Sequence, residues 1–424
     1  MKNKLALMGG EPLINNSFTK YQTIGREEIN AVTRVMETGT LSAFYGSWGD
    51  SFLGGPQVQK FEEEAQEFFD VKHAITVNSW TSGLTAAVGA LEIEPGDEVI
   101  VTPWTMCASA TAILQWNAIP VFADIETDGF CLDPESIEKN ITDRTKAIMS
   151  VDIFGQSADV DKINALAKKY DLRVISDTAQ APGAKVGNRF AGTCTDIGGF
   201  SLNYHKHIHT GEGGIIVTND DDYAEKLQLI RNHAEAVVEG MGRKNITNMI
   251  GGNYRLGEIE CAIGREQLKK LPRLTASRQE AANRLTLGLS DLPGLITPFV
   301  REDSSHVYYI YPLRLDCSVT GVDKHKIIDA LEAEGVPSLF RQYLNIHLLP
   351  IYQQKICYGQ EGFPWSIGRQ DISYEKGICP VAEHMQEVEF FGLELCMYEF
   401  NNNDIDLIVD AFQKVWENID NLRG

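Results

Sequence analysis

The segment NYHKHIHTGEGG, Asn203 to Gly214, sets one primary amine among three imidazoles, just ahead of a glycine-rich turn. A lysine such as Lys206 attacks carbonyl carbon once its amine is neutral. His205, His207 and His209 alternate, so in an extended segment they share one face and could ligate zinc or iron. No obvious carboxylate or cysteine complement adjoins them, so a distant one would have to fold in to complete a ligand set, and no metal is expected. Asp177, in RVISDTAQAPGA, closes an apolar run that follows the helix-patterned DVDKINALAKKY. By itself it reads first as an ordinary helix cap. VNSWTSGLTAA places small hydroxyl side chains where a strand gives way to a helix. Free N–H groups there suit a phosphate, or a plain N-cap.

The elements that must position these residues are legible as a series. Seven short runs are dense in Val, Ile, Ala and Phe: HAITVNS, EVIVTP, IPVFAD, KAIMSVD, RVISD, IGGFSLN and GGIIVTN, beginning between His73 and Gly213. They read as buried strands. Helical segments lie between the earlier ones: TSGLTAAVGALEI, CASATAILQWN and DVDKINALAKKY, the last with Val160, Ile163, Leu166 and Ala167 at helical spacing. Such alternation predicts an α/β domain with a mainly parallel seven-stranded sheet. Carboxyl ends of parallel strands are where such folds keep ligands. An aspartate at one strand end, a lysine beyond another and a glycine turn between strands suit pyridoxal 5'-phosphate. The amine forms a Schiff base with the aldehyde, and the carboxylate keeps the pyridine nitrogen protonated.

Around this core, GREEINAVTRVMETG reads as a helix stopped by glycine. FYGSWGDSFLGGP, Phe44 to Pro56, reads as a long loop, either a wall of the site or a packed Ω-loop. Helices are expected in EIECAIGREQLKKL and ASRQEAANRLTLGL. Near Leu292 the texture changes: VYYIYPLRLD reads as a strand, DKHKIIDALEAEG and NDIDLIVDAFQKVWENI as helices. The expected division is a large domain over 1–290 and a small α+β domain over 291–424.

Composition narrows the function classes. The 424 residues carry a net charge of -21, which argues against nucleic acid or an anionic membrane as partner. No run approaches the roughly 20 apolar residues of a membrane-spanning helix, and MKNKLALMGGEPLINN is too short in apolar residues for a signal peptide. The eight cysteines form no CxxC pair and read as free thiols of a cytoplasmic protein.

Taken together, NSWTSGL, PWTMCASAT, SDTAQAPGA, FSLNYHKHIHTGEGG and GGNYRLGEIECAIGREQL resemble, in order and spacing, the DegT/DnrJ/EryC1/StrS aminotransferases. The resemblance runs from about Gly25 to the C-terminus. It implies the aspartate-aminotransferase fold (fold type I), pyridoxal phosphate as cofactor, and a keto sugar or keto-cyclitol as acceptor. It further implies that Lys206 is the Schiff-base lysine and Asp177 the partner of the pyridine nitrogen. Gln180 would lie near the ring hydroxyl, with Trp80, Thr81 and Ser201 at phosphate-binding positions. Asn253 would reach the phosphate of a neighbouring subunit, hence a homodimer with shared sites. Two positions depart from the family pattern. Trp80 stands where a small residue is usual, and its bulk is expected over the substrate. Met106 stands where an aromatic usually stacks on the ring; a thioether can pack there too. Some relatives are sugar dehydratases with histidine in place of the lysine; Lys206 favours transamination. The implied reaction is ping-pong transfer from glutamate or glutamine to a keto sugar, nucleotide-linked or not, or to an inosose-type cyclitol. Tyr343 and His347, in RQYLNIHLLPIYQ, are candidates for contact with the acceptor or simply packed aromatics.

Overall fold

The computed structural model describes residues 4–423. Met1 to Asn3 of the opening run lie outside the described residues. All seven expected strands form and join one sheet: β1 (His73–Val77), β2 (Glu98–Val101), β3 (Ile119–Phe122), β4 (Thr145–Val151), β5 (Arg173–Asp177), β6 (Ile197–Ser201) and β7 (Gly214–Thr218), in the order β1-β7-β6-β5-β4-β2-β3. Their residues are buried almost throughout, as strands covered on both faces must be. Neighbours β3, β2, β4, β5 and β6 pair in parallel, whereas β7 runs antiparallel to both β6 and β1. The reason lies in the connection. Segment 202–213 contains no helix, so it cannot make the crossover that a parallel return needs. It turns back at the carboxyl end of β6 instead. Asp177 pairs in register with Gly199 of adjacent β6, so that same sheet edge carries Asp177 and the segment bearing Lys206.

Helices cover the faces. The expected ones are α1 (Arg26–Thr38), stopped by left-handed Gly39, then α3 (Trp80–Ala90), α4 (Ala108–Gln115) and α5 (Val160–Tyr170). Between them α2 (Pro56–Phe69) follows the glycine-rich loop, with Pro56 at its first turn. The loop itself packs inward through Phe44 and Phe52, while Tyr45 and Trp48 stay exposed. The two helices expected after residue 257 are one: α6 spans Glu258–Leu289 with Pro272 inside it. Proline removes one helical hydrogen bond, but Leu268, Leu271, Leu274, Ala281, Ala282 and Leu285 continue one buried stripe across it. Packing of that stripe outweighs the local penalty.

A second, antiparallel sheet holds β8 (Leu295–Ile296), β9 (Tyr311–Leu315), β10 (Leu339–Phe340) and β11 (Phe390–Leu393), ordered β8-β9-β11-β10. Against it lie α7 (Lys324–Ala333) and α8 (Asn402–Glu417). Its core includes Leu313, Leu315, Leu331, Phe391, Phe412 and, from the far end of the chain, Leu5 and Ile14. Buried Glu334 fastens that early segment. Its carboxylate accepts from the Ala6 and Leu13 N–H groups at 2.8 and 3.0 Å and from Lys414 Nζ at 2.7 Å.

Candidate active site

The cavity at the carboxyl edge of the large sheet, about 180 Å³, is lined by Ser79, Trp80, Thr81, Met106, Asp177, Gln180, Ser201 and Lys206, among others. Seven of the eight residues to which the resemblance gives a cofactor role, all but Asn253, therefore line one cavity.

Helix α3 starts at its wall. Ser79 is extended (φ -162°, ψ 156°) and caps the helix, its hydroxyl accepting from Ser82 N–H at 3.1 Å. An added Cβ at Gly214 would lie 2.8 Å from Trp80 N, so glycine is what lets the start of α3 lie against β7. The backbone N–H groups of Trp80 and Thr81 precede the first helical bond and stay available to an anion.

Asp177 is 5% exposed. Its Oδ1 accepts from Trp80 Nε1 at 2.7 Å and Ala179 N–H at 3.2 Å; its Oδ2 accepts from Ser109 Oγ at 2.7 Å. This corrects the placement of Trp80 expected from the sequence. The ring is buried and packed against the sheet, with its N–H given to Asp177. A Cβ at Gly199 or Gly83 would come within 2.2 or 2.6 Å of it, so those two glycines make its slot.

Lys206 is 8% exposed, its Nζ 4.3 Å from the centroid of the Tyr309 ring. Burial lowers its pKa to about 8, with the charges of Asp177 and Cys396 acting in the opposite direction. About a tenth of the amine is thus neutral at pH 7, far more than in an ordinary lysine, and the neutral form is what nucleophilic and base chemistry require.

The histidines do not form a face. Segment 202–213 is a chain of turns and bends rather than a strand. His205 lines the cavity edge-on to Tyr204, its pKa lowered to about 4 by burial and by Lys206. His207 is fully buried, with Nδ1 2.9 Å from Arg278 Nη1 and Nε2 3.3 Å from the Gln180 carbonyl. A guanidinium only donates, so Nδ1 accepts and the ring proton sits on Nε2. Burial, then Arg278, holds this ring neutral. His209 Nδ1 accepts from Gly211 N–H. Among the described residues no cluster of His, Cys, Asp or Glu is arranged to hold a metal ion.

The remaining candidates fall as follows. Gln180 spends its amide on the protein: Oε1 accepts from Phe154 N–H at 2.8 Å and Nε2 donates to Tyr343 Oη at 3.1 Å. Ser201 Oγ accepts from Asn203 N–H at 3.3 Å. Met106 is 59% exposed at the cavity rim, its Sδ accepting from Ala108 N–H. Asn253 is exposed and outside this cavity, its Oδ1 accepting from Arg255 Nε at 2.8 Å. His347 is buried and paired with Glu383 at 2.9 Å, so it packs rather than faces a ligand. Two residues escaped the reading from sequence. Ser109 has only a weak signal, one of two hydroxyls, with Thr111, in the alanine-rich first turn of α4. Asn203, whose Nδ2 donates to both oxygens of Glu212 across the glycine turn, has none.

A buried amine, a buried carboxylate and an open helix start along one cavity form a donor set that fits pyridoxal phosphate: aldehyde, pyridine nitrogen and phosphate each have a counterpart. The fold and this set define a fold type I pyridoxal phosphate enzyme. Residues 22–389 match the DegT/DnrJ/EryC1/StrS aminotransferase family, and the chain belongs to that family. It is a pyridoxal phosphate-dependent aminotransferase. It is similar to the spore coat polysaccharide biosynthesis protein SpsC of Bacillus subtilis, 36% identical over 82% of this chain and 89% of that protein. It is also similar to GDP-perosamine synthase of Caulobacter vibrioides, 37% identical over 70% and 79% respectively. A solved aminotransferase from Psychrobacter cryohalolentis superposes with a TM-score of 0.81 at 28% identity, over 95% of this chain and all of that one. Nucleotide-sugar and aminocyclitol aminotransferases both occur among its relatives.

Proposed function

We propose that this aminotransferase moves an amino group from glutamate or glutamine to a nucleotide-linked keto sugar in two half-reactions at one site. Bound pyridoxal phosphate supplies a ring that accepts the electron pair left when the donor α-carbon loses its proton. Lys206 is the group that takes this proton and later delivers one to the acceptor carbon, a task suited to an amine with a burial-lowered pKa. Asp177 holds the proton at the ring nitrogen. The N–H groups of Trp80 and Thr81, with Ser201, bind the phosphate; Gln180 lies beside the ring hydroxyl, and Met106 packs on the ring face. Asn253 serves the cavity of a partner copy in a homodimer. The observation that carries the reading is the convergence of Lys206 and Asp177 on one cavity that begins at a helix N-terminus. Transamination is favoured over dehydration because His207, the residue beside the lysine, is buried and bonded to Arg278 and cannot replace it. The nucleotide-linked acceptor rests on the likeness to GDP-perosamine synthase.

The test is the visible spectrum of the purified holoenzyme before and after excess L-glutamate or L-glutamine. Loss of the yellow band with one donor, and its return on adding a keto substrate, is the expected result. Return with nucleotide-linked keto sugars but not with inososes supports the proposed acceptor, and the reverse selects a cyclitol. A yellow protein that ignores both donors overturns the donor assignment.

A further inference from the structure

The side chain of Trp80 has a partner that a phosphate-binding position does not call for. It reaches from the first residue of α3 to the carboxylate at the end of β5. We propose that Trp80 and Ser109 are positioning residues that clamp the Asp177 carboxylate in the plane needed to meet the ring nitrogen of pyridoxal phosphate. One helix start thereby fixes both ends of the cofactor.

Three observations carry this. First, a carboxylate offers about four lone-pair directions. Trp80, Ala179 and Ser109 take three of them, and Asp177 lines the cavity with what remains. An indole N–H can only donate, so Oδ1 must present a lone pair to it. Second, the indole cannot swing away. It is 5% exposed and its slot exists because residues 83 and 199 lack a Cβ. Third, the two donors come from the first turns of two different helices, α3 and α4, and grip opposite oxygens. Rotation of the carboxylate would break both bonds. The other titratable groups facing this carboxylate are Lys206, Tyr343 and Asp152. Asp152 is itself held by Thr178 Oγ1 at 2.6 Å and Ala158 N–H at 2.9 Å.

The experiment compares wild type with Trp80→Phe, Ser109→Ala and the double variant. Two quantities are read by absorption: the Kd for pyridoxal phosphate, and the pH titration of the bound cofactor's visible band. Ile216→Val, which trims the wall of the same slot, is the packing control. Each single variant is expected to weaken cofactor binding about ten-fold or more, the scale of a hydrogen bond to a charged group. Both should displace the titration in the same direction, the double variant further, and the control should move neither. Unchanged Kd and titration in Ser109→Ala and Trp80→Phe would overturn the clamp, and so would an equal displacement in Ile216→Val. Should Trp80→Phe fail to fold, Ser109→Ala, which leaves the slot filled, decides alone. Because neither readout involves an amino donor or acceptor, a wrong acceptor assignment and a failed clamp give different results.

Discussion

Lys206 shows how position, not residue type, makes a reagent. An exposed lysine titrates at 10.5, whereas this one is brought to about 8 by burial. Two consequences can be measured. The rate at which apoprotein captures pyridoxal phosphate should climb about ten-fold per pH unit below 8 and level off above it; an inflection near 10.5 would show an ordinary lysine. In stability the sign runs upward with pH. Between about pH 8 and 10.5 the unfolded chain holds a proton that the native apoprotein has released, so this group makes the apoprotein more stable as pH rises through that window. Replacing the amine by Lys206→Ala should cost roughly 10²–10⁴-fold in single-turnover transfer, the range for a lost acid–base group. Cofactor should still bind through its phosphate. A mutant with near-normal turnover would remove Lys206 from the chemistry. These residues were readable from their neighbours in sequence. The partners of Asp177 were not, since Trp80 and Ser109 lie far from it along the chain.

At the scale of elements, the start of α3 and strand β6 set the site. Ser79→Ala removes the cap of α3 and should lower stability by about 1 kcal/mol, with a matching loss of phosphate affinity; denaturant unfolding and cofactor titration would show both. A cap loss that spares cofactor binding would separate the helix start from the phosphate. Gly199 is bound to its neighbour's bulk: an added methyl group would meet the Trp80 ring at 2.2 Å and Ile215 O at 2.3 Å. Gly199→Ala should therefore destabilise by about 1–3 kcal/mol or more, the cost of overpacking a filled core. The seven strands were legible because buried strands advertise themselves as apolar runs. The reversal of β7 and the continuity of α6 through Pro272 were not, because one depends on where the chain returns and the other on a stripe packed from outside.

At the scale of the whole molecule, two ties matter. Glu334 joins the early segment, α7 and α8 through one buried carboxylate. Glu334→Ala should cost about 3–5 kcal/mol, since it leaves Lys414 buried without its ion partner; a change in melting temperature within error would show that this junction carries little. The second is the tie we propose between two copies. Asn253 sits on the surface and does not line the cavity of its own chain. If it completes a partner's site, then Lys206→Ala and Asn253→Ala chains, each weak alone, should regain activity when co-expressed, because a mixed dimer holds one intact site. No recovery would return Asn253 to a structural role.

The sequence by itself determined the seven strands and the family, and it picked out the residues proposed to carry the chemistry, because strand patterning and the motifs around Lys206 and Asp177 are local signals. Only the tertiary structure decided where the side chains point. It turned Trp80 inward, separated three histidines that alternation would have aligned, and locked His207 against Arg278. Each of these depends on groups brought together from distant parts of the chain, and a hydrogen bond across such a distance leaves no period or spacing to be read.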